Sequence, residues 1–112
     1  VSRTRQLTAF ASITLDENGN GTVQLGPGLP GVVWNLVQAA CATTSTENEP
    51  IFNLYVGDAQ PSNFLGGTFS GNNDCTDLNQ TLYSGQYLTG QWTGGDPGAT
   101  GTMTLFGTQQ VP

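Results

Sequence analysis

The chain has 112 residues and a net charge of −6, with two arginines, no lysine and no histidine among its residues. That length holds a single hydrophobic core. The charge excludes a phosphate-neutralising nucleic-acid surface, and the missing histidine and lysine exclude Ser-His and Cys-His nucleophile pairs.

Both cations, Arg3 and Arg5, precede the first patterned stretch. Val1 to Gln6 therefore reads either as a frayed, solvated tail or as an arm that orders against a partner, ahead of a single β-sandwich domain over 7–112. Leu7, Ala9, Ala11, Ile13 and Leu15 alternate with Thr8, Phe10, Ser12 and Thr14. A period of two marks a half-buried strand and leaves Phe10 on its outward face, where an aromatic can act as a contact point.

Asp16-Glu17-Asn18-Gly19-Asn20-Gly21 matches the opening of a calcium loop, but the twelfth position is Pro27 rather than Glu. Without flanking helices the stretch reads as an Asn/Gly hairpin turn, with no metal expected. Thr22 to Leu25 is a short strand, closed by a Gly/Pro-rich segment to Gly31. Val32 to Thr44 fits two periods. Val33, Val37, Ala40 and Cys41 could share a helical face, while the β-branched and Trp content, set among other strands, favours a strand.

Glu47 and Glu49 alternate in a polar loop with nothing apolar beside them to raise a carboxyl pKa, so they read as solvated rather than as a glycosidase pair. Ile51 to Val56 is a strand with Phe52, Leu54 and Val56 on one face. Gly57 to Asn79 is rich in Gly, Asn, Asp and Ser, and one or two short strands are expected around Phe64-Leu65 and Thr68-Phe69. Asp74 and Asp77 lie there without a catalytic partner.

Gly85 to Gly107 reads as two strands, with Leu88, Trp92, Met103 and Leu105 inward, joined by Gly94-Gly95-Asp96-Pro97-Gly98. Pro97 and Gly98 suit the central positions of a type II turn, and a hairpin is expected. The whole pattern gives seven or eight short strands, an antiparallel β-sandwich or jelly roll. Its expected core includes Leu7, Ile13, Val23, Leu54, Leu88, Trp92, Met103 and Leu105.

Cys41 and Cys75 either bridge, which requires that they lie close, or remain buried thiols in a reducing compartment. The aromatics Trp34, Tyr55, Tyr83, Tyr87 and Trp92 are candidates for a sugar-stacking face, although Trp34 and Trp92 sit among core-forming neighbours. No cofactor, membrane span or nucleic-acid partner is expected.

The segments DENGNGTVQLGP, EPIFNLYVG and DCTDLNQTLYSGQYLTGQWTGGDPGATGTMTLFGT resemble a small domain of actinobacterial phage virion-surface proteins, found as capsid decoration or tail-appended modules. The most specific part is Gly85 to Thr102; Cys41, Cys75 and the N-terminal segment lie outside the pattern. The resemblance implies a non-enzymatic phage structural protein on the virion surface, binding the major capsid protein as a homo-oligomer, a trimer being favoured. In that setting Arg3, Arg5 and Phe10 are the expected partner contacts. The alternative is a glycan- or receptor-binding module of a phage tail or of a secreted protein.

Overall fold

The computed structural model describes residues 3–67 and 70–112. The expected strand at Thr68-Phe69, like Val1 and Ser2, lies outside them. The described residues form eight strands: β1 (Arg3–Thr14), β2 (Gly21–Leu25), β3 (Val33–Thr43), β4 (Ile51–Val56), β5 (Phe64–Gly67), β6 (Asn73–Leu82), β7 (Leu88–Thr93) and β8 (Thr100–Val111). One 3-10 turn, Pro61–Asn63, precedes β5.

Two antiparallel sheets, ordered β1-β8-β3-β6 and β2-β7-β4-β5, face each other. Every connection except β4–β5 changes sheet, and this strand order is that of an eight-stranded jelly roll. Between the sheets lie Leu7, Val23, Trp34, Leu36, Cys41, Phe52, Leu54, Leu82, Leu88, Trp92, Met103 and Leu105, all buried, with Ile13 packed partly exposed at the margin.

The Gly85–Gly107 stretch is not a hairpin. β7 pairs with β2 and β4, and β8 pairs with β1 and β3, so the connection crosses from one sheet to the other. The turn itself forms as expected: Gly98 takes φ +81° and the Ala99 N–H donates to Asp96 O at 3.2 Å. A type II turn closes the chain locally, but strand pairing is decided by what the loop residues on either side are tied to. Here the Gly95 and Gly98 N–H groups donate to Gly19 O and Leu15 O, at 2.9 and 3.1 Å, which anchors the loop to the β1–β2 connection instead of to its own flanks.

β3 is a strand, not a helix. Its register shifts between Leu36 and Gln38, leaving Val37 as a bulge. Inward positions therefore run Trp34, Leu36, Ala39, Cys41, so of the candidate helical face Val33, Val37, Ala40 and Cys41 only Cys41 is buried in the core. The bulge lies opposite Gly107, where a Cβ would stand 2.0 Å from Asn35 O.

Residues Arg3–Gln6 are not an arm. They continue β1, paired with Thr108–Val111 of β8, so their backbone is committed to the sheet in the isolated protein. Nor do Cys41 and Cys75 bridge. Cys41 pairs with Asp74 and Cys75 with Ala40, consecutive positions on adjacent strands, so their side chains leave opposite faces. Cys41 is buried, with its thiol against Ser70 O at 3.4 Å, and Cys75 is exposed.

Candidate functional site

Hydrogen bonds gather the loops into two groups. At one end of the 50 Å long axis lie the β1–β2, β3–β4, β5–β6 and β7–β8 connections, tied by Gly95 N–H to Gly19 O, Gly71 N–H to Pro50 O and Thr46 N–H to the Asp96 carboxylate. The other end holds the β2–β3, β4–β5 and β6–β7 connections and the Arg3–Val111 pairing. Of the eight acids in the chain, Asp16, Glu17, Glu47, Glu49, Asp74 and Asp96 lie at the first end or at the strand start beside it. Both arginines lie at the second.

Within the acidic end, Asp96 holds the β3–β4 loop in place. Its carboxylate accepts from the N–H groups of Thr46, Glu47 and Asn48 at 2.7, 2.9 and 2.8 Å, and from the Asn48 side-chain amide at 2.9 Å. Its own N–H donates to Ser45 Oγ at 2.9 Å. The backbone N–H bonds from Glu47 and Thr46 favour the ionised form and hold this carboxyl well below the usual carboxylate range. A depressed folded-state pKa contributes stability that is full above the unfolded value, about 3.9, and lost as pH falls below it. The melting temperature is therefore expected to drop on acidification below about pH 4, and Asp96→Asn to lower it by several degrees at pH 7 while flattening that acid limb. A thermal melt at each pH checks both. Sequence reasoning read Asp96 only as a turn residue; its role depends on a loop fifty positions away.

Asp16 behaves similarly on a smaller scale. Its Oδ1 accepts from the Asn18 and Asn20 N–H groups at 2.8 and 3.0 Å, closing a turn in which Gly19 takes φ +76°. The carboxylate that would open a calcium loop is thus spent on the backbone. Among the described residues no group of three His, Cys, Asp or Glu side chains is placed to hold a metal ion.

At the opposite end Arg5 stands between two hollows. A groove of about 430 Å³ on the outer face of the β1-β8-β3-β6 sheet is lined by Thr4, Gln6, Thr8, Val37, Phe106 and Thr108, with the bulge of Val37 as one wall and Gly107 in its floor. A second hollow, about 310 Å³, occupies the mouth of the sandwich and is lined by Pro27, Leu29, Val32, Trp34, Gln109 and Val111. Arg5 lines both, and neither arginine side chain forms an ion pair or hydrogen bond with another described residue. Phe10 is 70% exposed on the outer face, opposite Thr104 and diagonal to Phe106. The arginines share the opposite strand parity, so β1 presents the three predicted contact residues on two faces and not as one patch.

The remaining candidates separate. Trp34 and Trp92 are core residues, and the Trp92 Nε1–H donates to Gly71 O at 3.0 Å. Tyr55 packs edge-on against Phe64 with ring centroids 5.7 Å apart, and the Tyr87 hydroxyl donates to the Asp58 carboxylate, which raises the Tyr87 pKa. Tyr83 is exposed beyond β6. Glu47 and Glu49 remain exposed on the loop that Asp96 organises, and Asp77 points outward from β6.

Neither a protein-family profile nor a curated protein matches the sequence. The structure is similar to that of the Yersinia pseudotuberculosis-derived mitogen, with a TM-score of 0.50 at 12% identity over 92% of this chain and 86% of that one. It also resembles the Drosophila NLP core, at a TM-score of 0.40 and 11% identity over 89% and 98% of the two chains. A chain of infectious bursal disease virus matches at a TM-score of 0.29 and 8% identity, with 93% of this chain and 35% of that chain covered. At these identities the first likeness speaks for the β-sandwich fold alone, and none of the three is an actinobacterial phage protein.

Proposed function

We propose that this chain is a non-enzymatic structural protein of a phage particle, a decoration protein that stands on the assembled shell and docks by its arginine-bearing end. The observation that carries this reading is the segregation of charge along the long axis. Both cations sit at one end with no side-chain partner among the described residues, while six of the eight acids crowd the other. A body polarised in this way is oriented by a shell of negative surface potential: the arginines approach it and the acidic loops face solvent. The hollows flanking Arg5 offer apolar walls for a capsid loop whose carboxylate meets the guanidinium, an arrangement that favours bidentate bonding.

Copies on a particle repel one another through their acidic ends. The outer face around Phe10 and Phe106, set among threonines, supplies the lateral contact that offsets this repulsion within a trimer. The resemblance of Gly85–Thr102 to virion-surface domains and the lack of histidine and lysine also support a structural role over an enzymatic one.

Sedimentation with assembled shells that lack the protein tests the reading. The wild-type chain is expected to co-sediment saturably. An Arg3→Gln/Arg5→Gln double variant should bind at least about tenfold more weakly, from two charge-assisted contacts, with its melting temperature nearly unchanged. If the variant decorates shells as fully as wild type, the arginine end is not the docking end. If neither protein binds shells, the decoration role is wrong.

A further inference from the structure

We infer that the outer face of the β2-β7-β4-β5 sheet is a binding platform for neutral carbohydrate. This does not rest on the attachment role, since the platform and the arginine end use different elements. Inward burial of Val23, Phe52, Leu54, Leu88 and Trp92 turns the alternate residues of β2, β4 and β7 outward. The register then sets two rows across the sheet. One runs Thr22, Gln91, Asn53 and ends on Gly67; the other runs Gln24, Thr89, Tyr55 and ends on Phe64, with Thr89 fully covered and its hydroxyl donating to Gly57 O, so that Gln24, Tyr55 and Phe64 are its accessible members.

Three properties of these rows fit a sugar. First, the Gln24, Asn53 and Gln91 amides and the Tyr55 hydroxyl make no hydrogen bond to another described residue, although Asn53, Tyr55 and Gln91 are half-buried. Each amide offers a donor and an acceptor side by side, which matches neighbouring hydroxyls on a pyranose ring. Second, Phe64 is 53% exposed and held by its edge-on contact with Tyr55, giving a fixed aromatic surface for the C–H face of a sugar. Third, neither row contains a charged side chain, in a protein of net charge −6. A polyanion would be repelled by the protein as a whole, and a polycation would find no carboxylate within the rows. The carboxylate bordering them, Asp58, is engaged by Tyr87. At the Gly67 end the missing side chain leaves the row open above Asn53, because a Cβ there would fall 2.6 Å from Asn53 Oδ1.

The test is an array of neutral glucose-, mannose-, galactose- and N-acetylglucosamine-based oligosaccharides beside sulfated and uronic-acid glycans, followed by titration calorimetry with the strongest neutral binder. Binding is expected on neutral glycans. Phe64→Ala and the Asn53→Ala/Gln91→Ala pair should each weaken it by about tenfold, while Asn79→Ala, exposed on β6 of the other sheet, leaves it unchanged. Amide shift changes in the wild-type protein on titration should map to β4, β5 and β7, a readout that stands even if a variant folds poorly. Absence of glycan binding, binding confined to charged glycans, or shift changes mapping to the other sheet would each overturn the inference.

Discussion

Replacing Trp92 by alanine is expected to unfold the protein or leave it barely folded. The indole is fully buried, stands 4.7 Å from the Phe52 ring at 46°, and packs against Gly101, where a Cβ would come within 3.1 Å of it. It thus joins β7 of one sheet to β8 of the other across the core. Truncating so large a side chain costs about 3–5 kcal/mol through lost burial and the cavity left behind. The Gly71 carbonyl, which accepts the indole N–H, would also lose its donor, at about 1–3 kcal/mol if it stays buried. Typical native stability is about 5–15 kcal/mol, so the combined loss removes much or all of it. Trp92→Phe separates the two terms: it keeps most of the aromatic packing and forfeits the hydrogen bond. In urea melts Trp92→Ala should show little or no native baseline and Trp92→Phe an intermediate midpoint. A wild-type melt for Trp92→Ala would mean that the inward face of β7 is assigned to the wrong side.

Gly19→Ala should be nearly as damaging, for a different reason. The residue takes φ +76°, which costs an L-residue about 1–2 kcal/mol. An added Cβ would also fall 1.8 Å from Gly95 O, a backbone atom that cannot swing away like a side chain. Overpacking of this kind adds about 1–3 kcal/mol. The clash would force apart the β1–β2 and β7–β8 loops where Gly95 N–H donates to Gly19 O, and with them the Asp96 anchor of the β3–β4 loop. A marked fall in melting temperature is expected, and millimolar calcium should neither rescue the variant nor shift the wild type. A calcium-dependent rise reversed by chelator would show that Asp16, Asn18 and Asn20 bind an ion after all.

These two residues also mark where the sequence is legible. β4 and β2 are readable almost to the residue, because Phe52, Leu54 and Val23 alternate with polar neighbours and Gly or Pro bounds each run. The core face of β7 and β8 is equally plain. What escapes a one-dimensional reading is pairing. Gly94–Gly98 contains every local signal of a hairpin, and only the contacts of Gly95 and Gly98 with Gly19 and Leu15 send the strands to different sheets. β6 was hidden because its inward positions, Asp74, Thr76, Leu78, Gln80 and Leu82, are mostly polar: the strand runs along a sheet edge where all but Leu82 are only half-covered. Arg3–Gln6 lacks apolar alternation for a related reason, lying over the open mouth of the sandwich. The proposed binding surfaces were legible only as residue types. That Phe64 lies beside Tyr55, or that Arg5 borders two hollows, follows from registers and a bulge that no local spacing records.

The pairing of β1 with β8 has a kinetic consequence. Arg3 meets Val111 and Thr14 meets Thr100, so among the described residues the first strand finds its one ladder partner roughly a hundred residues later. Closing so long a loop brings no reward until both ends dock, which places the chain among slow, high-contact-order folders that take milliseconds to seconds. During synthesis β1 must wait until β8 has left the ribosome, and β3 waits with it for its second neighbour. Over that interval the Leu7–Ile13 stripe is an unpaired, half-apolar strand open to any other nascent copy. The polar Thr8, Ser12 and Thr14 at alternate positions limit how well such a strand can stack on itself while it waits.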